Sequence, residues 1–577
     1  MFTLIKKYLK SAALACAIMA PLMMSIEVFM DLQQPTLMSD IMDRGVALGD
    51  LNFILTTGVR MIIYALIGLI GGSGCCILSC YAAVKMGGEL RVKLFAKIQS
   101  LSFTELDELK TASLITRMTN DVMQIQNMFM MLLRGMVRSP LLCIGGILMS
   151  FMLSPKLAMV ICVVLPVLVV LTIIIITKTI PMFVQMQSQI DRVNTVMREN
   201  LLGVRVVKAF TMEDKQFNRF SNENEALAEV SIRAQSTTFL LMPIVTLLMN
   251  LSVVSILWFG GNMEISGILA SGKIMAFINY MIQITNSLVM LVNLIMNLSR
   301  AQASANRISE VFSAQPSIID PEKHQTVQGY DITFSHVSFR YSTGDYVLKD
   351  ISITLKHGQR VGIIGPTGCG KSTLVSLIPR LYDVSEGSVS IGGVDVRNIA
   401  VAELRKNVGI VLQDSILFSG SVGDNLRYGD NEADDSTIHQ AAAASEAEEF
   451  IARLPDNLGA YVEQRGKNFS GGQKQRLSIT RTLLQKPEIL ILDDSTSAVD
   501  LATEAKLQAS IRKTMARSTI ILIAQRISTI MDCDVILVLD QAGRLSASGV
   551  HRELIQSSEL YRSITVSQLG EEAAAIA

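Results

Sequence analysis

The chain has 577 residues, half of them hydrophobic and only 18% charged. That length excludes a single domain and that apolarity excludes an ordinary soluble protein, so part of the chain belongs in a membrane. Lys+Arg and Asp+Glu each total 51, which leaves no global positive field and excludes nucleic acid as the partner.

Lys6, Lys7 and Lys10 precede a first apolar stretch with no small-residue cleavage site, which reads as a retained span. Six apolar segments fill the first half, at 12–30, 61–84, 139–154 with residues before it, 157–176, 237–263 and 274–299. About twenty residues cross a hydrocarbon core of about 30 Å. The third segment is short unless it begins near Met128 and takes in Arg134 and Arg138. The loops at 84–125 and 178–234 hold six and eight Lys/Arg, whereas the others hold only Arg44 and Lys156, or four with Arg60 and Lys273 at the edges. The positive-inside rule then places both termini and both long loops in the cytoplasm. Leu90, Leu94, Ile98 and Leu101 recur at helical spacing, so the spans are expected to continue as helices beyond the membrane. The polar stretches 105–118 and 208–215 are placed to touch a cytoplasmic domain.

Glu27, Arg134 and Arg138 are the charges nearest membrane depth. They suit a polar pathway, but the expected reading is that all three lie near a water interface and snorkel. The 31 methionines fit an adaptable substrate surface and lipid-facing filler equally. Cys16, Cys75, Cys76, Cys80, Cys143, Cys162, Cys369 and Cys533 show no paired CxxC spacing, and neither disulfides nor zinc is expected.

Composition changes after Ser299. Residues 301–312 read as a helix leaving the membrane, and 313–329, with Pro316 and Pro321, as a linker. Residues 330–570 read as an α/β nucleotide-binding domain of ordinary polarity, with 571–577 as a tail. The expected fold is thus a six-span α-helical transmembrane domain over 1–312 followed by an α/β P-loop domain.

Within that second domain a strand-like run, 361–364, leads into Gly365-Pro366-Thr367-Gly368-Cys369-Gly370-Lys371-Ser372-Thr373, a GxxxxGKS phosphate-binding loop followed by a helix-like run. The glycines let successive N–H groups turn around phosphates, Lys371 reaches the outer ones, and Ser372 can ligate magnesium. The apolar run 489–492 ends in Asp493, where a P-loop fold places the acid that holds magnesium. Upstream, Ser470, Gly471, Gly472 and Gln473 can open a helix toward a second nucleotide's γ-phosphate. ATP and Mg2+ are the expected cofactors.

With these motifs the chain resembles a half-transporter of the ATP-binding-cassette exporter family (type IV fold) over nearly its whole length. The signature FSGGQ at 469–473 is the most specific mark. The resemblance implies that Tyr341 stacks on adenine, Gln413 is the Q-loop residue at the metal and the reaction centre, and Ser497-Ala498-Val499-Asp500 is the D-loop. Thr119-Asn120-Asp121-Val122, Val207-Lys208-Ala209-Phe210 and Ala305-Asn306-Arg307-Ile308 match the membrane half, and the two polar loop stretches become coupling helices, the second gripping the partner's cassette.

Two positions depart from the family pattern. Asp494 stands where the general base is usually Glu, and Gln525 where the switch His is usual. Aspartate is one methylene shorter, and a misplacement of roughly 1 Å can cost about a hundredfold in rate. Glutamine cannot carry a titrating proton at neutral pH. The family sandwiches ATP between the Walker motifs of one cassette and the signature of the other. The resemblance therefore implies a heterodimer whose second half-transporter supplies the Glu and the His, while this chain's signature completes that site. The expected activity is ATP-driven export across a bacterial plasma membrane. The substrate, whether small molecule, lipid or peptide, is open, and membrane lipid is the surrounding partner. A slow homodimeric exporter and an ATP-gated channel or regulatory subunit are the alternatives.

Overall fold

The computed structural model describes residues 1–342, 344–495 and 500–570. They fall into two compact units, one of residues 1–97 with 112–313, the other of 98–111 with the residues from 314 onward.

The first unit is helical: α1 (Phe2–Tyr8), α2 (Ser11–Asp40), α3 (Leu51–Gln99), α5 (Thr111–Thr116), α6 (Val122–Leu153), α7 (Pro155–Leu202), α8 (Val204–Ala209), α9 (Glu213–Phe239), α10 (Leu241–Ile265) and α11 (Ser271–Ser313), while α4 (Phe103–Leu109) belongs to the second unit. Among the described residues, six helical stretches are long and apolar enough to cross a membrane. The 49 residues of α3 extend roughly 70 Å at the α-helical rise, more than twice the hydrocarbon core. The helical continuation read from Leu90, Leu94 and Ile98 is therefore present, while Leu101 falls in a bend just past its end at Gln99. The third span begins well before residue 139, at Val122, and carries Arg134 and Arg138. Pro21, Pro35, Pro140, Pro166 and Pro181 lie inside these helices, as membrane helices tolerate.

Glu27 and Arg138, expected to snorkel, are paired with one another across a helix interface. The Arg138 guanidinium, on α6, pairs with both Glu27 and Asp31 of α2, the latter contact at 3.0 Å. Glu27 also lies against α3: a Cβ on Gly72 would fall 2.5 Å from its Oε2, and one on Gly71 2.8 Å from the Met23 carbonyl. The missing side chains at Gly71 and Gly72 are what let α2 and α3 close over the carboxylate. Near it Tyr280 of α11, fully buried, donates to the Leu32 carbonyl at 2.6 Å. A second junction ties α11 to the turn before α6. Asp121 accepts from Ser304 Oγ at 2.9 Å and Arg307 Nε at 2.8 Å, and Arg117 donates to the Arg307 carbonyl at 2.7 Å. The motifs at 119–122 and 305–308, far apart in sequence, are thus two halves of one buried contact.

The second unit is built on strands β1 (Ile332–Phe339), β2 (Leu348–Leu355), β3 (Arg360–Ile364), β4 (Glu386–Ile391), β5 (Val394–Asp395), β6 (Val408–Val411), β7 (Gly420–Ser421), β8 (Tyr461–Val462), β9 (Ile489–Asp493), β10 (Thr519–Ile523), β11 (Val535–Leu539) and β12 (Leu545–Gly549). A six-stranded sheet has the order β12-β11-β3-β10-β9-β6, parallel except for β12, and an antiparallel sheet has the order β2-β1-β4-β5. The apolar runs in β9 and β10 are buried at every residue because both faces of the large sheet are covered. Leu490 and Leu492 point into one core and Ile489 and Ile491 into the other. The helices that matter for the site are α12 (Lys371–Ser376), α13 (Gly471–Leu484), α14 (Leu501–Thr514), α15 (His551–Ser557) and α16 (Glu559–Leu569).

The three-residue ion cluster gives an ordered expectation. Arg138→Met strands two carboxylates in a membrane helix interface, whereas Glu27→Gln leaves Arg138 with Asp31. Breaking a pair that is only part-buried costs less than the roughly 3 kcal/mol of a fully buried one. In a detergent-solubilised thermal melt, Arg138→Met should therefore lower Tm by several degrees more than Glu27→Gln; two equal and negligible shifts would return both residues to the water interface.

Candidate nucleotide-binding and hydrolysis site

The parallel register brings the predicted residues together. Ile523 of β10 lies opposite Ile363 of β3 on one side and Asp493 of β9 on the other. The chain leaves all three strands at the same edge, so Gly365, Asp494 and Gln525 begin neighbouring loops. In open α/β sheets ligands bind outside these carboxyl ends.

The loop from Gly365 to Gly370 needs its glycines for identifiable reasons. A Cβ at Gly365 would fall 2.4 Å from the Leu539 carbonyl oxygen, and Gly368 and Gly370 take φ of 83° and 95°. Lys371 Nζ donates to the Gly365 and Pro366 carbonyls at 2.8 Å each, which curls its side chain over the loop mouth. Thr367 forms the exposed rim beside the half-buried Pro366, while the Cys369 side chain is buried and contributes packing. Burial pushes its thiol up, outweighing the pull of Lys371 toward the thiolate. Thr373 Oγ1 meets the Tyr341 hydroxyl at 2.9 Å. The Tyr341 ring, 41% exposed, sits edge-on to Phe339 and Tyr382 and presents a surface on which a base can stack.

Ser372 Oγ donates to Asp493 Oδ1 at 2.9 Å. Burial raises the Asp493 carboxyl above its ordinary range; the neighbouring Asp494 charge also raises it, against the Ser372 hydrogen bond. A buried carboxylate beside a hydroxyl suits a hard divalent cation, which would offset that desolvation. Ser372 and Asp493 fit a magnesium ion, which when bound neutralises phosphate charge. Gln413 lies on the other side of the acidic pair, its Nε2 at 3.5 Å from Asp494 Oδ2.

Asp494 is nearly buried, at φ 48°, with its N–H donating to the Ile523 carbonyl at 3.1 Å. Its Oδ2 accepts from Gln525 Nε2 at 2.7 Å. The two residues that depart from the family pattern are therefore bonded to one another. Burial raises the Asp494 carboxyl, and the Gln525 hydrogen bond opposes the shift.

Ser470 caps α13. Its Oγ accepts from the Gln473 N–H at 3.3 Å, and Gln473 Oε1 accepts from the Ser470 N–H at 2.8 Å, a reciprocal capping box. Ser470 keeps its own hydroxyl proton for an incoming anion, and Gly471 and Gly472, in the first helical turn, put no side chain over their N–H groups. This helix packs in the core on one face of the large sheet, through Leu477, Ile479 and Leu483, whereas Leu374 and Val375 of the phosphate-loop helix pack on the other. Asp500 caps α14 by accepting from the Thr503 N–H at 3.0 Å, and that N–H holds its carboxyl below the usual range. The rest of the expected D-loop, Ser497, Ala498 and Val499, lies outside the described residues, as does the tail 571–577.

The stretch expected to touch the cytoplasmic domain does so through α4. Tyr382 OH donates to Asp107 Oδ2 at 2.7 Å, Ser342 Oγ to Glu108 Oε1 at 2.8 Å, and the Ser317 N–H to Glu105 Oε1 at 3.1 Å. Tyr382 stacks its edge on Tyr341 at 5.3 Å. A path of direct contacts thus runs from Thr373 through two tyrosines to α4. Sequence reading placed the stretch but not Tyr382, an aromatic with no motif around it.

Comparison with known proteins agrees with this geometry. Residues 17–288 match the ABC transporter transmembrane region and 348–497 the ABC transporter family. The chain is 38% identical over 569 residues, 98% of each chain, to the "Uncharacterized ABC transporter ATP-binding protein YfiB" of Bacillus subtilis (strain 168). It is 33% identical over 476 residues, 82% of this chain and 75% of the relative, to the "Fatty acid ABC transporter ATP-binding/permease protein" of Mycobacterium tuberculosis (strain CDC 1551 / Oshkosh). A solved bacterial Atm1-family ABC exporter with ATP bound is similar with a TM-score of 0.80 and 27% identity, over 97% of this chain and 99% of that one. The chain belongs to the ABC transporter family. It is an exporter-type half-transporter, a multi-pass membrane protein with an ATP-hydrolysing cassette.

If Ser372 and Asp493 hold magnesium, Asp493→Asn should abolish the gain in ATP affinity that Mg2+ gives the wild-type chain while leaving metal-free ATP binding within about threefold. Titration of a fluorescent ATP analogue with and without Mg2+ checks this; an undiminished Mg2+ effect would move the metal elsewhere.

Proposed function

We propose that this chain is the degenerate-site subunit of a heterodimeric exporter, moving a hydrophobic or amphipathic substrate. The observation that carries the reading is the 2.7 Å hydrogen bond from Gln525 to Asp494. A general base must present a free lone pair to the attacking water. Here the shorter carboxylate has one oxygen engaged by the switch residue itself, and that residue cannot shuttle a proton. ATP held by Lys371, Ser372 and Asp493 should stay bound for long periods and stabilise a cassette dimer.

The binding machinery argues against general decay of the cassette. The phosphate loop keeps every glycine its backbone requires, and the Ser470–Gln473 capping box is formed. The signature and the phosphate loop sit on opposite faces of one sheet, which favours their serving different nucleotides. A partner half-transporter with Glu and His would be completed by Ser470 to Gln473 of this chain. For the substrate, the relative named for fatty acid transport favours an amphipathic molecule.

The purified chain alone should show ATPase activity at least tenfold below that of the assembled pair, measured by phosphate release in lipid nanodiscs. Vigorous turnover without a partner would sink the reading in favour of a homodimer. Within the pair, Ser470→Ala should remove most turnover, at least tenfold, while Asp494→Asn changes it less than twofold; matching losses would contradict the division of labour.

A further inference from the structure

The switch segment has an unassigned support. Between the end of β10 at Ile523 and the short helix that starts at Ile527, residues 524–526 lie beyond the strand ladder. Arg526 is the N-cap of that helix but provides no side-chain cap, so the first helical N–H groups need partners from elsewhere. One partner comes from α16. Gln568 Oε1 accepts from the Ile527 N–H at 2.8 Å, and Gln568 Nε2 donates to the Gln525 carbonyl at 2.7 Å.

We propose that Gln568 is a positioning residue for the hydrolysis site: its side-chain amide brackets the backbone on both sides of Arg526 and holds Gln525 toward Asp494. A primary amide offers one donor and one acceptor on the same plane, so it copies the pairing of a neighbouring strand where no strand exists. On the opposite side, Glu504 of α14 accepts from Arg526 at 3.1 Å and Thr529 Oγ1 at 2.9 Å. The side chains of the segment are thus tied to α14 and its backbone to α16. Fixing the Gln525 backbone fixes where its amide can reach, and Gln525 to Asp494 is a single hydrogen bond of ordinary length.

Gln568 is not needed to dock its own helix. Tyr561, fully buried, meets His551 Nδ1 at 2.6 Å, Thr565 is fully buried, and Ile564 and Leu569 pack on the same core. The exposed amide lies one turn beyond this anchor. The inference rests on Gln525 being the switch residue of this chain's own site.

The full chain in nanodiscs tests it by hydrogen exchange and by the kinetics of its own ATPase. Gln568→Ala should speed exchange of the Ile527 amide at least tenfold, leave Tyr561 to Thr565 protected, and, by loosening the hold of Gln525 on Asp494, raise kcat at least twofold with KM within twofold. Gln568→Glu keeps the acceptor and loses the donor, so it should preserve Ile527 protection yet still raise kcat. Unchanged Ile527 exchange in Gln568→Ala, deprotection spread evenly along α16, or an unchanged or lowered kcat in both variants would overturn the proposal. Fast turnover by the wild-type chain would instead sink the degenerate-site reading, and the Gln568 comparison would still read.

Discussion

The nucleotide site depends on the register of three parallel strands. Because Ile363, Ile523 and Asp493 lie side by side, the loops that follow them start at one edge of the sheet, and the phosphate loop, the base position and the switch position meet without long connections. A slip of one residue in β9 or β10 would turn its side chains to the other face and move Asp494 away from Gln525. Complete burial of β9 and β10 on both faces holds that register.

The two faces of this sheet divide the cassette's tasks. One core carries the phosphate-loop helix together with the antiparallel sheet, and Tyr341 and Tyr382 in the loops beside that sheet lead to Asp107 on α4. The other core carries the signature helix and, through Tyr561, the helix that bears Gln568. Tyr341 and Tyr382 connect that first face to α4 through ring contacts and one hydrogen bond. The Asp494 carboxylate lies at the sheet edge, where Gln413 approaches it from one loop and Gln525 from another.

Much of this was legible in the sequence, for reasons that differ by element. Helices α3 and α7 declare themselves by apolar length, and the phosphate loop by glycines whose positive φ or close backbone approach no other residue tolerates. What the sequence hid is pairing at a distance. Nothing local to Arg138 shows that Glu27 and Asp31, more than a hundred residues earlier, pair with it. Asp121 and Arg307 each sit in a recognisable motif, but nothing local says that the motifs touch. Gln568 carries no signal at all, since an exposed glutamine near a helix end is ordinary and its function lies in backbone groups of another segment. The departures at Asp494 and Gln525 were readable as residue types. Their mutual hydrogen bond required coordinates.

The central claim is that this chain's own site is slow because Asp494 and Gln525 engage each other in place of water and phosphate. The most direct measurement is single-turnover hydrolysis of radiolabelled ATP bound to the chain, compared between wild type and the Asp494→Glu/Gln525→His variant. Restoring the longer carboxylate and the titratable ring should raise the rate by at least tenfold at unchanged ATP affinity. Equal rates in the two proteins would contradict the account.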